Sequence, residues 1–389
     1  MGVIVSFVRG AALAVVAVTG VAGAGVAPAA AAAAAIPEGM QPAPAAAIRP
    51  GFLEAVSCPS ATTCTAVGEH PQETSLAERW GGTKWALQRT PSGGPLDAVS
   101  CPSATACTAL GGSLGALAWN GTTWASQRVP IPTANGSGLT GVSCTSATAC
   151  TAVGYYYTSD EMEQLVWVGR WNGTKWTSQA APSPPTSAEF RQERFQAVSC
   201  TSPTACVAVG FYTNAPNSTV PLVEAWNGTT WAIQPAGTSF SAPFNALYGV
   251  SCRSATACIA VGTSYNAGTY APLAERWNGT TWTIQRTPSP NGGDLLQVSC
   301  TSARACTAVG FAASSDGTQQ ALADRWDGTA WALQHVANPS DGSTPVLTGV
   351  SCSAATACTA VGVRNGPPGS QRLTLAERWN GTSWTIQPT

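Results

Sequence analysis

The chain has 389 residues, among them 14 Cys and 15 Trp, but only 2 His, and 10% of its residues are charged. Eighteen Lys and Arg stand against 19 Asp and Glu, so no positive excess indicates binding to nucleic acid or to acidic membranes. A hydrophobic fraction of 44% is enough to bury a core and excludes a disordered chain, while two His leave a His-ligated zinc enzyme almost no ligands.

Residues 1–35 are predicted to be a secretory signal peptide. Arg9 is the only charge before an apolar run that reaches about residue 26, and an Ala-rich stretch follows Pro28. The alternative is a membrane anchor, because residues 11–35 are long enough to span a bilayer. Ala and Gly dominate this run and Pro28 interrupts it, which favours the signal peptide. Residues 36–50 are then a linker, and the mature chain is expected outside the cell or associated with the cell wall, without a membrane segment.

Seven repeats occupy the rest of the chain. The cysteines form seven C-x5-C pairs: Cys58/Cys64, Cys101/Cys107, Cys144/Cys150, Cys200/Cys206, Cys252/Cys258, Cys300/Cys306 and Cys352/Cys358. Each pair is followed by a W-x4-W pair: Trp80/Trp85, Trp119/Trp124, Trp171/Trp176, Trp226/Trp231, Trp277/Trp282, Trp326/Trp331 and Trp379/Trp384. A period of about 49 residues, built from short strand-like segments, is typical of propeller blades.

The predicted fold is therefore all-β: a seven-bladed β-propeller with four antiparallel strands in each blade. The predicted blades are 51–94, 95–137, 138–190, 191–243, 244–290, 291–341 and 342–389. Each C-x5-C pair spans the first hairpin of its blade and is predicted to form a local disulfide, because zinc sites favour closer spacings and His ligands. We expect no metal site, no cofactor and a monomeric protein.

The third and fourth strands are predicted to meet at a two-residue Asn-Gly or Asp-Gly turn, replaced by Gly81-Gly82 in the first blade. This turn would place the two Trp of a blade diagonally on one face of the sheet. A Trp-rich surface can bind carbohydrate, but residues that recur in every blade are better explained by packing. The N-x-[ST] form of these turns also fits glycosylation, although the turn chemistry explains it without a glycan.

Two neighbouring positions of the third strand carry charge. The first, here called the acid position, holds Glu78, Glu224, Glu275, Asp324 and Glu377. The next, the arginine position, holds Arg79, Arg170, Arg276, Arg325 and Arg378. Adjacent strand residues point to opposite faces, so an acid and an arginine of one blade cannot pair. Two interpretations remain open: acid–arginine pairs between neighbouring blades, or charges solvated at the outer surface.

Length varies only in the connections between strands 2 and 3 and between strand 4 and the next blade. Both emerge on the same side of a propeller, here called the variable face, and the opposite side is the uniform face. The longest connections belong to blades three to five and are rich in aromatic residues, which provide contact area for ligands. The predicted ligand-binding residues are Tyr155, Tyr156, Tyr157, Phe211, Tyr212, Tyr265 and Tyr270. The alternative is that these side chains seal their loops onto the scaffold.

The repeat L-x-x-V-S-C…C-T-A-V-G…W-N-G-T-x-W resembles the BNR/Asp-box propeller repeats of sialidase-like and photosystem II assembly-factor-like proteins. The clearest match is the G-T-x-W segment that begins at Gly279, although the Asp-box aspartate position holds Trp and its preceding Ser is absent. The resemblance covers residues 51–389 and implies a propeller. Cys-rich versions of this kind are similar to secreted actinobacterial propellers, for which it implies no defined activity.

A sialidase-like site, by this resemblance, would need an arginine triad, a Tyr nucleophile paired with Glu, and an acidic residue. No motif gathers the arginines outside the arginine position, and His70 and His335 have no partner spacing. We therefore expect a secreted, non-enzymatic binding module that recognises an extracellular glycan or protein on the variable face. The alternatives are a sialidase-like or other polysaccharide-acting enzyme, and a structural protein of the cell wall.

Overall fold

The computed structural model describes residues 49–389 except 112–114, 133–135, 238–241, 267, 289–291, 314–317, 340 and 367–369. The predicted signal peptide and nearly all of the predicted linker lie outside the described residues. The described residues contain strands and turns but no helix, and hence no helix able to cross a membrane.

The described residues form twenty-eight strands in seven groups of four, which confirms the predicted all-β propeller. The first strands of the groups are β1 Phe52–Ser60, β5 Ala98–Ser103, β9 Ser137–Ser146, β13 Glu193–Ser202, β17 Phe244–Ser254, β21 Asp294–Ser302 and β25 Thr344–Ala354. The second strands are β2 Thr63–Glu69, β6 Ala106–Gly111, β10 Ala149–Tyr157, β14 Ala205–Ala215, β18 Ala257–Asn266, β22 Ala305–Ala313 and β26 Ala357–Asn365.

The outer half of each blade is a second hairpin. The third strands are β3 Ser75–Trp80, β7 Gly115–Trp119, β11 Gln164–Trp171, β15 Ser218–Trp226, β19 Thr269–Trp277, β23 Gln319–Trp326 and β27 Leu373–Trp379. The fourth strands are β4 Trp85–Leu87, β8 Trp124–Gln127, β12 Trp176–Gln179, β16 Trp231–Ile233, β20 Trp282–Gln285, β24 Trp331–Gln334 and β28 Trp384–Gln387. Five blades are separate four-stranded sheets, and the fourth and fifth blades are joined by a parallel pair between Thr219 and Phe244.

All fourteen cysteines form the predicted disulfides, one in each blade, and none is free. The observed pairs are Cys58–Cys64, Cys101–Cys107, Cys144–Cys150, Cys200–Cys206, Cys252–Cys258, Cys300–Cys306 and Cys352–Cys358. The two cysteines of the fourth blade, for example, are direct cross-strand neighbours, with their α-carbons 4.0 Å apart. Each disulfide therefore fastens the first hairpin of its own blade, and none holds one blade to another.

The second cysteine of each pair is buried at a junction between blades. These residues are Cys64, Cys107, Cys150, Cys206, Cys258, Cys306 and Cys358. The Sγ atom of Cys64 lies 3.5 Å from the Thr359 hydroxyl of the last blade, and four other junctions repeat this contact. At the two remaining junctions Val207 and Ile259 replace the Thr and share an apolar cluster with the cysteine. These cysteines are thus structural residues of the core.

Neighbouring blades are joined by the Ser of the V-S-C segment. The backbone N–H of Cys101 donates to the hydroxyl of Ser57 in the preceding blade at 2.9 Å. The same bond recurs at every junction, at 2.9 to 3.0 Å. A ring of seven Ser hydroxyls thus links the first strands, and the bond from Cys58 to Ser351 closes the ring between the last blade and the first.

The Gly of the C-T-A-V-G segment is required by a close approach of two strands. A β-carbon added to Gly68 would lie 1.9 Å from the carbonyl oxygen of Phe52. The first strand bulges just after this point, between Leu53 and Ala55, which brings its carbonyl against the second strand. The equivalent Gly meets the same obstruction in all seven blades, so this sequence feature is structural.

The hairpin between strands 3 and 4 differs from the prediction. Trp277 and Trp282 lie directly opposite each other, with ring centroids 5.6 Å apart, so the connection has four residues rather than two. Of the two turn residues Asn278 and Gly279, only Gly279 has a positive φ, of 101°. The Asn278 side-chain oxygen accepts hydrogen bonds from Thr280 and Thr281, and these bonds hold the longer turn.

Packing between blades forms the core. One apolar cluster contains Leu53 and Trp85 of the first blade together with Val361 and Ala376 of the last. Equivalent clusters fill the other junctions, and the second Trp of every W-x4-W pair is buried. The interpretation of these Trp as packing residues is therefore consistent with where they lie.

Candidate functional site

The candidate aromatic residues lie on extended strands rather than in loops. Tyr155 to Tyr157 end β10, and Phe211 and Tyr212 lie within β14, which runs on to Ala215. Tyr265 on β18 and Tyr270 on β19 are cross-strand partners. The expectation that these residues form loops was wrong, because runs of aromatic and β-branched residues continue the pleated strands to the variable face.

Four aromatic side chains form a row across the fourth and fifth blades. Ring centroids are 6.2 Å apart for Phe211 and Phe244, 6.4 Å for Phe244 and Tyr270, and 4.7 Å for Tyr270 and Tyr265. Tyr270 is 38% exposed, which is unusual for a large aromatic residue in a packed group. This aromatic row is the largest cluster of partly exposed rings in the described part of the chain.

A second group lies at the edge of the third blade. The rings of Tyr155 and Tyr157 meet edge to face at 5.9 Å, and Tyr157 is 36% exposed. The guanidinium of Arg194, from the first strand of the fourth blade, stacks over Tyr155 at 4.4 Å. The Nε atom of Arg194 is buried and has no hydrogen-bond partner within the described residues.

Tyr156 and Tyr212 do not join either group. Tyr156 packs into the junction between blades two and three, and Tyr212 into the junction between blades three and four. Burial raises the pKa of Tyr212 above its usual value, and the nearby carboxyl of Glu193 raises it further. Side chains alternate along a strand, so Tyr156 and Tyr212 face the preceding blade. Their neighbours Tyr155 and Phe211 face the following blade.

The sequence analysis missed a polar cluster beside the aromatic row. Tyr248, on the first strand of blade five, lies within electrostatic reach of Arg194, Asp294 and Tyr270. Burial and the Asp294 carboxyl raise the pKa of Tyr248 well above its usual range. Asp294 accepts a hydrogen bond from Thr263 at 2.5 Å, and burial raises the pKa of its carboxyl.

The repeat itself provides the signal that would have identified this cluster. Arg194 and Asp294 immediately precede the buried Phe or Leu of a first strand, and Tyr248 immediately follows it. These positions lie on the first strands of blades four, five and six, where a comparison of equivalent positions among the blades identifies the unusual residues. The structure thus places hydrogen-bonding groups next to exposed aromatic rings.

The acid position is buried, and both interpretations of the charged positions were wrong. Glu78, Glu224, Glu275, Asp324 and Glu377 all have 0% exposure. Within the described residues, none of the five arginines at the arginine position pairs with a carboxylate. Four donate instead to a backbone carbonyl of the next blade, as Arg378 does to Ala61 at 2.6 Å. Five also lie over a Trp ring of the next blade.

Two of the buried acids accept hydrogen bonds from the connection that leads into their blade. The N–H groups of Gly237 and Ala337, each three residues after the Gln at the end of strand 4, donate to Glu275 and Glu377. Before Glu224 and Asp324 the equivalent residues are Pro182 and Pro288, which have no N–H. Both carboxyl oxygens of Glu224 and of Asp324 accordingly lack a hydrogen-bond partner within the described residues.

Burial raises the pKa of three of these acids strongly. The pKa is raised to about 8 for Glu224 and Glu377 and to about 7 for Asp324. Glu377 pairs across the strands with Ile386, and an aliphatic residue stands opposite every other acid. In blades two and three the acid is replaced by Leu117 and Gly169, and Ser stands opposite. The aliphatic partner therefore covers the carboxyl from the outside.

No constellation for catalysis is seen in the described part of the chain. It contains no group of three or more His, Cys, Asp or Glu that could hold a metal ion. His70 lies in the connection between β2 and β3, and His335 is exposed after β24. The candidate Tyr212 beside Glu193 has a raised pKa, which is the opposite of what a Tyr nucleophile needs.

Known structures that resemble this chain are β-propellers. The structure described as YCF48 bound to D1 peptide is 14% identical with a TM-score of 0.52, covering 85% of this chain and 94% of that one. YCF48 from Cyanidioschyzon merolae is 13% identical with a TM-score of 0.50, covering 87% and 97%. The RRP9 WD40 repeats are 9% identical with a TM-score of 0.53, covering 87% and 94%.

The comparisons by sequence found no match, either to a protein-family profile or to a curated protein. At these low identities the structural likeness is evidence for the fold alone. The chain is a β-propeller.

Proposed function

We propose that the protein is a secreted, non-enzymatic binding module that recognises an extracellular glycan or protein on its variable face over blades three to five. The observation that carries this proposal is the aromatic row next to Arg194, whose Nε atom lacks a partner within the described residues. Exposed rings beside a few convergent polar groups are the usual composition of a ligand site. Tyr155, Tyr157, Phe211, Tyr265 and Tyr270 are the candidate contacts.

Two further points support binding. A structurally similar propeller is described as bound to a D1 peptide, so this architecture holds a peptide in at least one case. Tyr and Phe on a rigid scaffold provide contact area with little loss of conformational entropy. Tyr156 and Tyr212 belong to the proposal as supports that hold the extended strands in place, because their rings pack into blade junctions.

Secretion is part of the proposal. Seven disulfides fit an oxidising compartment, where such bonds form and persist. We propose residues 1–35 as the signal peptide, 36–50 as the linker and 51–389 as the propeller, divided into blades as predicted. We also propose that the repeat is a Cys-rich relative of the BNR/Asp-box repeat, that the protein is a monomer, and that it binds no nucleic acid.

The enzymatic alternative has less support. Most polysaccharide-cleaving sites use two carboxyl groups that face one another across the substrate, whereas a sialidase-like site pairs a Tyr nucleophile with a Glu. The acids of the acid position lie instead in separate blade junctions and are fully buried. Glu193 is also buried, and its carboxylate is held by Arg191 at 2.7 Å and Ser183 at 2.9 Å.

A binding screen tests the proposal. Residues 36–389, produced with their disulfides, are screened against glycans, cell-wall fragments and extracellular proteins. We expect a ligand whose binding is lost when Tyr155, Tyr156 and Tyr157 are all replaced by Ala, while Leu333→Ala, which removes an exposed side chain from an outer strand, leaves it unchanged. Unchanged binding by the triple variant would contradict the proposed face. Turnover of any glycan in the screen would favour the enzyme, and no ligand at all would favour a structural role.

A further inference from the structure

The uniform face departs from the repeat at one place. The residue after the first Cys is Pro, Thr or Ser in six blades, but Arg253 in the fifth. The turn residue two before the second Cys is Thr in six blades, but Arg304 in the sixth. The other six blades show which residue the repeat normally carries at each position. The two exceptions, Arg253 and Arg304, fall in adjacent blades. Both side chains are exposed.

The arginine position also behaves differently at this junction. In four other blades that arginine donates to a turn carbonyl of the next blade, as Arg325 does to Ala355 at 2.7 Å. In the sixth blade the Nε1 of Trp326 donates instead to the Ala303 carbonyl of its own blade at 3.3 Å, as the equivalent Trp does in blades three and five. The guanidinium of Arg276 makes no hydrogen bond within the described residues, and it lies over the Trp326 ring of the next blade at 6.0 Å.

Two of these arginines line a small indentation. Arg253 and Arg276 line it together with Ser302 and Ala303, and Arg304 follows directly in the chain. The indentation holds about 10 Å³, the space of one water molecule, so a ligand would lie over it rather than inside it.

No carboxylate of the described residues lies within ion-pair distance of the three guanidinium groups. Among those residues Arg253, Arg276 and Arg304 form no ion pair. The side chain of Arg304 lies against Gly328, where other blades place a Thr methyl group. The adjacent Asp327 is engaged in its own turn, where it accepts hydrogen bonds from Thr329 and from Ala330.

We propose that the uniform face between blades five and six binds a tetrahedral oxyanion, a phosphate or sulfate group, through Arg253, Arg276 and Arg304. Guanidinium groups present pairs of N–H donors that match the oxygen spacing of such anions. Three cations without counter-ions favour a doubly charged group over a single carboxylate. This site lies on the opposite side from the proposed ligand face and does not depend on it.

Titration calorimetry with inorganic phosphate, inorganic sulfate and dextran sulfate tests the site in the disulfide-bonded chain of residues 36–389. We expect saturable binding that weakens with added sodium chloride. Arg253→Thr and Arg304→Thr restore residues that other blades carry, so both variants are expected to fold, and each should weaken binding at least about tenfold. Arg89→Thr, which removes an exposed charge elsewhere, is the matched control and should bind as the parent does.

The three probes distinguish the source of the anion. Saturation by inorganic phosphate or sulfate alone supports a site for free anions. Binding of dextran sulfate at much lower concentration, with inorganic sulfate as competitor, supports a site for oxyanions on a polymer. The proposal is overturned if no probe binds saturably, or if Arg89→Thr weakens binding as much as Arg253→Thr and Arg304→Thr do.

Discussion

Replacement of Glu377 by Gln should make the protein more stable at alkaline pH and leave it nearly unchanged at acidic pH. The Glu377 side chain has 0% exposure, and its Oε1 atom has no hydrogen-bond partner within the described residues. Its Oε2 atom accepts one hydrogen bond, from the Ala337 N–H at 3.3 Å. Burial of a carboxyl with so few partners favours its protonated form in the fold and raises its pKa to about 8.

The sign and size of the effect follow from linkage. The pKa of Glu377 is about 8 in the folded protein and 4.5 in the unfolded chain. The folded state therefore binds the proton more tightly than the unfolded state does. The free energy of unfolding is therefore highest below pH 4.5, falls as the pH rises to about 8, and then levels off. At about 1.4 kcal/mol for each pH unit, ionisation of Glu377 costs about 5 kcal/mol. A Gln at this position is neutral throughout.

Guanidinium-chloride unfolding at intervals from pH 5 to pH 9, without reductant, measures the effect. Glu377→Gln should match the parent at pH 5 within about 1 kcal/mol and exceed it by several kcal/mol at pH 9. Glu189→Gln, at an exposed position, is the control and should follow the parent at every pH. A stability difference that stays constant across this range, or a variant that is less stable at pH 9, would refute the reasoning.

Three further substitutions test contacts within and between blades by thermal or chemical unfolding. Gly362→Ala should destabilise by about 1 to 3 kcal/mol, since the new β-carbon would lie 1.9 Å from the Val346 carbonyl oxygen; a neutral result would contradict the close approach. Ser351→Ala should cost about 1 to 3 kcal/mol by leaving the Cys58 N–H without its acceptor, whereas Ser353→Ala at an exposed site should be neutral. Arg49→Gln should destabilise more at pH 9 than at pH 5, because Arg49 lowers the raised pKa of Glu78; equal losses would contradict this.

The fold could be predicted from the sequence because its information is repeated seven times. The C-x5-C and W-x4-W spacings recur at one period, and each recurrence has the same structural cause. The connection between Trp277 and Trp282 was predicted two residues too short, because the prediction considered the turn backbone alone. The Asn278 side chain accepts three hydrogen bonds there, and those bonds stabilise a longer connection.

The charged positions were harder to predict because their partners lie in other blades. An acid at the acid position lies against the connection that follows the preceding blade. A Pro in that connection has no N–H to donate to the carboxyl, as is the case for Pro182 and Glu224. The arginine extends to a turn carbonyl at the other end of the junction. Strand periodicity correctly separated the two charges but did not reveal either partner.

The assignment of the aromatic residues as a ligand site stays a prediction. The sequence analysis placed these residues in loops, and loops carry no rule for which way a side chain faces. On an extended strand the alternation explains why Phe211 joins the aromatic row while Tyr212 packs in a junction. Arg194 and Tyr248 carried no motif, and only comparison of equivalent positions among the blades distinguishes them.

The dissociation constant of a ligand identified in the screen, compared between the parent and Tyr270→Ala, tests the central claim most directly. Tyr270 lies at the centre of the aromatic row and is partly exposed, so its removal should weaken binding at least about tenfold. Unfolding curves establish that the variant remains folded, and Leu333→Ala controls for the loss of any exposed apolar side chain. A folded Tyr270→Ala variant that binds as tightly as the parent would contradict the assignment of the variable face as the ligand site.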